Sequence, residues 1–197
     1  DGTKSESMTA PRIYIGTGGK TKIPAMEGIE NVPYHTSESF FGDGYPEAPY
    51  KDIIVVGGGA IGCEFAHIFR AFGAKVQLVQ HNVRLLPKSD EACSSACLEN
   101  LTRDGVRFYF NKETPAVALK DGRIHLTLLD RATGELDVIE ASDLFICPGI
   151  VPATDGLGLE NTTISLDSRG WIRTNEFLET SAPGVYALGD INGRQQF

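Results

Sequence analysis

The 197-residue chain lacks the features of a membrane protein or a nucleic-acid-binding protein. No stretch approaches the ~20 apolar residues that span a bilayer, and residues 1–9 hold no apolar run of the signal-peptide kind. The formal net charge is −8, and no block of Lys and Arg offers a surface for nucleic-acid phosphates. We therefore expect a cytoplasmic protein with neither a membrane nor a nucleic acid as partner.

Cysteine is scarce, and its spacing indicates no metal site. The four cysteines, Cys63, Cys93, Cys97 and Cys147, include no Cys-x-x-Cys pair, and the histidines lack zinc-ligand spacing. Cys93 and Cys97 are four residues apart and would share one face of a helix, so a redox pair or half a metal site is the alternative. We interpret all four as packing thiols and expect neither a metal ion nor a catalytic residue.

Residues 52–80 carry the clearest structural pattern. Residues 52–56 form a β-branched run typical of a parallel strand that is buried on both faces. After six residues of sequence GGGAIG, residues 63–72 show helical spacing of apolar side chains, and residues 75–80 predict a second strand. This pattern predicts a complete β-α-β unit.

The remaining segments extend this unit into an α/β fold. Ser89 would cap a second helix that ends near Arg103, and Asp121-Gly122 is a strong hairpin signal. The predicted strands are residues 106–110, an antiparallel group at 116–120, 123–129 and 136–141, and residues 144–147. We predict a Rossmann-like open parallel sheet with helices on one face and a small antiparallel β-meander on the other.

The two ends of the chain are rich in loops, which is unusual within a compact domain. We therefore divide the chain into three parts. Residues 1–51 and 150–197 are expected to be pieces of a neighbouring domain, with short strands at 12–15, 171–173 and 185–188. Residues 52–149 are expected to form a nucleotide-binding domain.

The glycines after the first strand of the unit give the main chemical signal. Gly57-x-Gly59-x-x-Gly62 lies between a predicted strand and a predicted helix, which is the context that gives this motif meaning. Gly57 would permit the tight turn, Gly59 would let a pyrophosphate approach the backbone, and Gly62 would allow close packing of the helix. A glycine-rich turn without a ligand is the alternative.

The end of the second strand bears on the choice between NAD and NADP. An acid there binds the ribose 2′-hydroxyl, whereas a cation accommodates a 2′-phosphate. The sequence instead has Gln80 and His81, with Arg84 just beyond. Gln80 can bond a hydroxyl without repelling a phosphate, and His81 and Arg84 could attract one, so these residues leave the choice open.

Four segments of the chain form one further pattern: IVVGGGAIGCEFA at residues 54–66, YIGTGG at 14–19 with Ile23-Pro24, DGLGLE at 155–160 and YALGD at 186–190. In these segments the sequence resembles the FAD-dependent pyridine nucleotide-disulfide oxidoreductases, and most of all dihydrolipoamide dehydrogenase. Four motifs in the family's order are far more specific than the glycine motif alone.

The resemblance implies that a nicotinamide-nucleotide domain is inserted into a flavin domain. It implies that Thr17, Gly18 and Asp190 contact FAD and that Glu64 lies near the nicotinamide, although a helix first-turn acid is the alternative for Glu64. The full set of cofactor-binding candidates is Gly57, Gly59, Ala60, Ile61, Gly62, Glu64, Gln80, His81, Gly149, Thr17, Gly18 and Asp190.

The sequence also departs from the family pattern. The family's redox Cys-x-x-x-x-Cys, its first glycine-rich loop and its dimerisation domain with a catalytic His do not occur in these residues. Ala60 replaces a Tyr that many relatives have, and Ile150 replaces a common Arg. The resemblance implies that Gly62 favours NAD, because the NADPH-using glutathione reductases tend to have Ala at this position. The lack of an acid at Gln80 favours NADP. We expect NAD, with NADP as the alternative.

We therefore interpret the chain as a nicotinamide-nucleotide-binding fragment of a homodimeric flavoenzyme that passes a hydride between nicotinamide and FAD. The fragment alone is expected to be inactive without the flavin and dimerisation domains. One alternative is a related two-nucleotide flavin oxidoreductase with a non-disulfide acceptor. Another is a dinucleotide-binding module without catalysis.

Overall fold

The computed structural model describes residues 8–42 and 44–194, which divide into two compact units. One unit is Thr21–Gly149. The other consists of the described residues within Asp1–Lys20 and Ile150–Phe197. Within the described ranges, no helix is long and apolar enough to cross a membrane.

The elements are numbered in chain order. The strands are β1 Ile13–Ile15, β2 Gly19–Thr21, β3 Asp52–Val56, β4 Lys75–Gln80, β5 Arg107–Phe110, β6 Lys112–Lys120, β7 Arg123–Asp130, β8 Leu136–Ala141, β9 Asp143–Ile146, β10 Ile150–Pro152 and β11 Val185–Ala187. The α-helices are α1 Ser37–Phe41, α2 Ala60–Ala71 and α3 Glu91–Arg103. Short 3₁₀ segments occur at Ile29–Asn31, Leu159–Asn161 and Gly189–Asn192.

The centre of Thr21–Gly149 is a four-stranded parallel sheet in the order β5-β4-β3-β9. Successive side chains of a strand point to opposite faces. In β3, Ile53 and Val55 accordingly join the core on the helix side, whereas Ile54 and Val56 join the core on the other side. This is why the β3 sequence is apolar from Ile53 to Val56 rather than alternating.

The helices cover one face of this sheet. Phe65 and Phe69 of α2 and Leu101 of α3 belong to the same buried cluster as Ile53 and Val55. The ring of Phe65 lies 4.3 Å from that of Phe145, centroid to centroid. Burial of large aromatic side chains contributes most to such a core.

The meander β6-β7-β8 covers the opposite face. Leu126 and Leu128 of β7 are fully buried against the sheet. The hairpin between β6 and β7 turns at Asp121 (φ +49°) and Gly122 (φ +72°), the positive-φ pair of a type I′ turn. The predicted fold class, with helices on one face and a meander on the other, is confirmed.

Several boundaries differ from the sequence expectation, mostly by one or a few residues. Helix α2 begins at Ala60 rather than Cys63, and the cap of α3 is Asp90, whose carboxylate accepts from the Cys93 N–H at 2.7 Å, rather than Ser89. The compact unit begins at Thr21 rather than Asp52. Residues 22–51 belong to it because Met26 and Val32 are buried in the meander-side core.

The other unit contains a two-stranded parallel sheet formed by β1 and β11. Ile172, Ala187 and Ile191 form its small buried cluster with Leu159. The predicted strand at residues 171–173 is reduced to a single bridge between Leu166 and Ile172.

Candidate dinucleotide-binding site

Residues 57–62, here called the glycine loop, comprise the connection from β3 and the first three residues of α2, and Gly57 turns the chain. Gly57 has φ +121°, a conformation that side chains with a Cβ rarely adopt. Its N–H donates to the carbonyl of Val79 at 2.9 Å. A Cβ at Gly57 would lie 2.4 Å from the carbonyl oxygen of Cys147. The protein's own turn and packing therefore require this glycine.

Gly62 and Gly58 are also explained by packing within the protein. A Cβ at Gly62 would lie 1.8 Å from the carbonyl oxygen of Gly57, so the first turn of α2 could not pack against the loop. A Cβ at Gly58 would lie 2.8 Å from Cδ2 of Leu85. These glycines shape the loop whether or not a ligand is present.

Gly59 is different because no contact or backbone strain requires a glycine there. Its φ of −79° and ψ of −171° are open to any residue. A Cβ on Gly59 would meet no heavy atom within 4 Å among the described residues. Gly59 is the N-cap of α2 and its backbone is half-buried. The space beside it is suited to a ligand that approaches the backbone closely.

The amino end of α2 can bind an anion. Its first intrahelical bond runs from the Cys63 N–H to the Gly59 carbonyl at 3.0 Å, so the N–H groups of residues 60–62 have no acceptor within the helix. Among the residues that the structure describes, no side chain caps this end, and the first turn contains no acid. The positive end of the helix dipole is therefore not neutralised locally. Such helix ends bind phosphate.

Glu64 lies on the exposed side of α2. It follows exposed Ala60 by four residues, so the two share one face of the helix. Because α2 begins at Ala60, Glu64 lies beyond the first turn. The helix start thus weighs against the interpretation of Glu64 as a first-turn acid.

Gln80 ends β4, and its side chain supports the glycine loop. The residue is 4% exposed. Its Oε1 accepts from the N–H groups of Gly58 and His81, each at 3.1 Å, and its Nε2 donates to the carbonyl of Arg84 at 3.1 Å. Because Gln80 is buried and both its Oε1 and its Nε2 already bond backbone groups of the protein, this geometry does not support the expected contact between Gln80 and a ribose hydroxyl.

Arg84 is likewise engaged within its own loop. Its Nη1 donates to the carbonyl of Leu86 at 3.4 Å. Its Nη2 donates to the carbonyls of Pro87 and Ser89, each at 3.0 Å. Of the two candidates for a phosphate contact beyond β4, Arg84 is half-buried and His81 is exposed.

Arg131, which sequence reasoning missed, lies beside His81. Its Nη1 donates to the His81 carbonyl at 3.3 Å. The order and direction of the strands could have identified it. Strand β6 starts at the carboxyl edge of the parallel sheet, directly after β5, and the antiparallel strand β7 returns to that edge. The turn that holds Arg131 therefore lies at that same edge.

Gly149 follows β9, which neighbours β3 on the side opposite β4. It is exposed, with φ +153°. Ligands of open parallel sheets bind beyond the carboxyl ends of the strands, where the order of the strands reverses. The structure brings the glycine loop, His81 and Gly149 to this edge, next to β3.

Two of the four thiols donate hydrogen bonds to backbone carbonyls of the glycine loop. Cys63 Sγ donates to the Gly58 carbonyl at 3.8 Å, and Cys147 Sγ donates to the Gly57 carbonyl at 3.6 Å. Burial raises the pKa of Cys147 to about 12 and also raises the pKa of Cys63. Both remain protonated donors, which agrees with their interpretation as packing thiols.

A cleft of about 600 Å³ lies at the opposite, amino edge of the sheet. Asp52, Lys75 and Arg107, the first residues of β3, β4 and β5, line it. Asp52 already pairs with Nη2 of Arg123 at 3.0 Å. Because parallel sheets of this kind bind ligands at the carboxyl edge, we do not assign the dinucleotide to this cleft.

Thr17, Gly18 and Asp190, the flavin candidates, lie in the other unit. Strands β1 and β11 run parallel, and the Leu188 N–H donates to the Ile15 carbonyl at 2.9 Å. The segments that follow the two strands, with Thr17 and Gly18 in one and Asp190 in the other, therefore leave the same edge of that small sheet.

The whole chain, residues 1–197, matches the family model for pyridine nucleotide-disulphide oxidoreductases. Dihydrolipoyl dehydrogenase from Acholeplasma laidlawii is 32% identical over 194 residues, which cover 96% of this chain and 54% of that relative. Glutathione reductase from Burkholderia cepacia is 32% identical over 188 residues, covering 95% and 40%. The chain thus spans about half or less of these relatives' length.

Among solved structures, the HOCl-induced flavoprotein disulfide reductase RclA from Escherichia coli is similar to this chain, with a TM-score of 0.83 and 28% sequence identity. The match covers 94% of this chain and 41% of that one. The structural match thus agrees with the family match over nearly the whole chain.

Proposed function

The chain belongs to the pyridine nucleotide-disulphide oxidoreductase family, and we propose that it binds a nicotinamide dinucleotide at the amino end of α2. It covers only part of its relatives' length, so the binding serves a longer FAD-dependent disulfide oxidoreductase. Residues 21–149 bind the nicotinamide dinucleotide. Residues 1–20 and 150–197 belong to the flavin-binding part.

The observation that carries this proposal is the open space at Gly59. Packing or a positive φ accounts for Gly57, Gly58 and Gly62, but neither accounts for Gly59. A pyrophosphate that approaches the backbone explains why no side chain stands there. The N–H groups of residues 60–62, which have no acceptor within the helix, supply the hydrogen bonds that such an anion needs.

Each candidate residue has a distinct task in the proposed site. The backbone N–H groups of Ala60 and Ile61 donate hydrogen bonds to the pyrophosphate. His81 lies beside the adenosine ribose. Gly149 has no side chain that would block a ligand at the carboxyl end of β9. The family resemblance implies that Glu64 lies near the nicotinamide. The bound nicotinamide supplies or accepts a hydride, which the longer protein exchanges with FAD.

The other unit contributes to the flavin site. Thr17, Gly18 and Asp190 follow two adjacent parallel strands, an edge at which nucleotides bind in parallel sheets. By resemblance, the redox cysteine pair and the dimerisation domain lie elsewhere in the longer protein, which functions as a homodimer.

The variant Gly59→Ala tests the proposal. A methyl group would occupy the place of the pyrophosphate, so we expect the Kd for NADH to rise at least thirtyfold, or about 2 kcal/mol. Stability should fall by no more than about 1 kcal/mol, the usual cost of alanine at an N-cap. Titrations of NADH fluorescence measure the affinity, and circular dichroism measures the fold.

The matched control is Gly16→Ala. Gly16 also has open space around a built Cβ and an ordinary φ, but it lies in the other unit. Gly16→Ala should therefore leave NADH affinity unchanged. Equal affinities of wild type and Gly59→Ala would overturn the assignment of the glycine loop.

A further inference from the structure

The end of β4 lacks the group that normally selects NAD. A carboxylate at this position holds the 2′-hydroxyl and repels a 2′-phosphate. Here the position is occupied by Gln80, which is neutral, and its amide is engaged with Gly58, His81 and Arg84. No negative charge from this residue therefore opposes a phosphate next to His81.

The turn after β7 brings a cation to the same place. Arg131 is fixed by its backbone, since its N–H donates to the Asn111 carbonyl at 3.0 Å. The Asn111 N–H in turn donates to the Asn82 carbonyl at 3.1 Å. This chain of bonds ties the meander turn to the segments that follow β4 and β5.

The guanidinium of Arg131 keeps part of its donor capacity available. Its Nη1 donates to the carbonyl of His81 at 3.3 Å and to Oδ1 of Asn111 at 3.5 Å, and its side chain is 39% exposed. Over residues 8–42 and 44–194, no bond from its Nη2 is found, whereas Nη2 of Arg84 bonds two carbonyls. A guanidinium binds phosphate through paired N–H groups.

Glu113 limits the charge that Arg131 presents. Its carboxylate lies 3.5 Å from Nε of Arg131, and 49% of its side chain is exposed. An exposed pair of this kind is weak and is screened by salt. A doubly charged phosphate would compete with Glu113 for the guanidinium.

We propose that Arg131, with the imidazole of His81, binds the 2′-phosphate of NADP(H), so that Arg131 is a specificity-determining residue of the site. The proposal rests on the dinucleotide site at the glycine loop and names the form of cofactor that this site selects. Under this proposal the cofactor is NADP rather than NAD, which the sequence had led us to expect. The selecting cation comes from the antiparallel layer rather than from the loop after β4.

The variant Arg131→Gln tests this inference through two cofactors measured in parallel. For NADPH the Kd should rise at least tenfold, which corresponds to about 1.4 kcal/mol. For NADH it should change less than twofold. The probes 2′,5′-ADP and 5′-ADP should show the same contrast without the nicotinamide.

Two further variants serve as controls. Arg103→Gln also removes one positive charge, but from the exposed pair with Glu99 on α3, and should leave both affinities unchanged. Glu113→Gln frees the guanidinium of Arg131 and should strengthen NADPH binding but not NADH binding.

The outcomes separate this inference from the proposed function. Equal effects of Arg131→Gln on NADPH and NADH, or a wild type that prefers NADH, would overturn the role of Arg131 while the glycine-loop site stands. If wild type bound neither dinucleotide, both proposals would fail.

Discussion

Replacing Gly62 with alanine should destabilise the chain, although alanine is the better helix former. Helix propensity alone favours alanine over glycine by about 1 kcal/mol. The new Cβ, however, would lie 1.8 Å from the carbonyl oxygen of Gly57 and 2.9 Å from its carbonyl carbon. Because Cβ contacts under 3.0 Å are essentially never seen, the glycine loop must move by more than 1 Å.

The net loss should be about 2 kcal/mol. Overpacking costs roughly 1–3 kcal/mol, and the upper end applies because the opposing atom belongs to rigid backbone. Subtracting the gain of about 1 kcal/mol in helix propensity from this cost leaves a net loss of about 2 kcal/mol. Urea unfolding followed by far-UV circular dichroism measures it, because the only tryptophan, Trp171, lies in the other unit. A Gly62→Ala variant as stable as wild type would refute this reasoning.

Two other changes test the support of the site and the acid stability. Gln80→Leu removes the acceptor of the Gly58 and His81 N–H groups, of which only the Gly58 N–H is buried. A buried unpaired group costs about 1–3 kcal/mol, so we expect a loss of about 2 kcal/mol in urea unfolding. An unchanged midpoint would contradict this. Lys112, hydrogen-bonded to Asp130, lowers the pKa of that carboxyl to about 2. The stability that the ionised Asp130 carboxylate gives to the folded chain is therefore present above pH ~4 and is lost toward pH 2. Asp130→Asn should therefore lower the Tm at pH 6 and make the Tm fall less steeply between pH 4 and 2. Curves of Tm against pH that are parallel for the variant and wild type would contradict this prediction.

The sequence was most informative where local pattern and tertiary role coincide. The bounds predicted for β3 and β4 agree with the structure. In β3 the pattern is clear because a strand buried on both faces is apolar at successive residues, here Ile53 to Val56. The hairpin at Asp121-Gly122 was predictable because few other pairs adopt two positive φ angles.

Side-chain engagement was not predictable from the sequence. Gln80 and Arg84 were reasonable candidates for cofactor contacts, but which hydrogen bonds they make depends on how the loop after β4 folds back. Arg131 was missed because it lies 50 residues from His81 along the chain. The start of α2 was placed late because glycine and alanine carry little apolar periodicity.

The central claim, that the glycine loop binds a dinucleotide, is tested most directly by amide NMR of the 197-residue chain titrated with NADPH. We predict saturable shifts of the amides of residues 58–62 and of His81 and Arg131, because these groups line the carboxyl edge of the sheet next to β3 and β4. Shifts confined to Lys75 and Arg107 at the amino-edge cleft, or no saturable shift at all, would contradict the account.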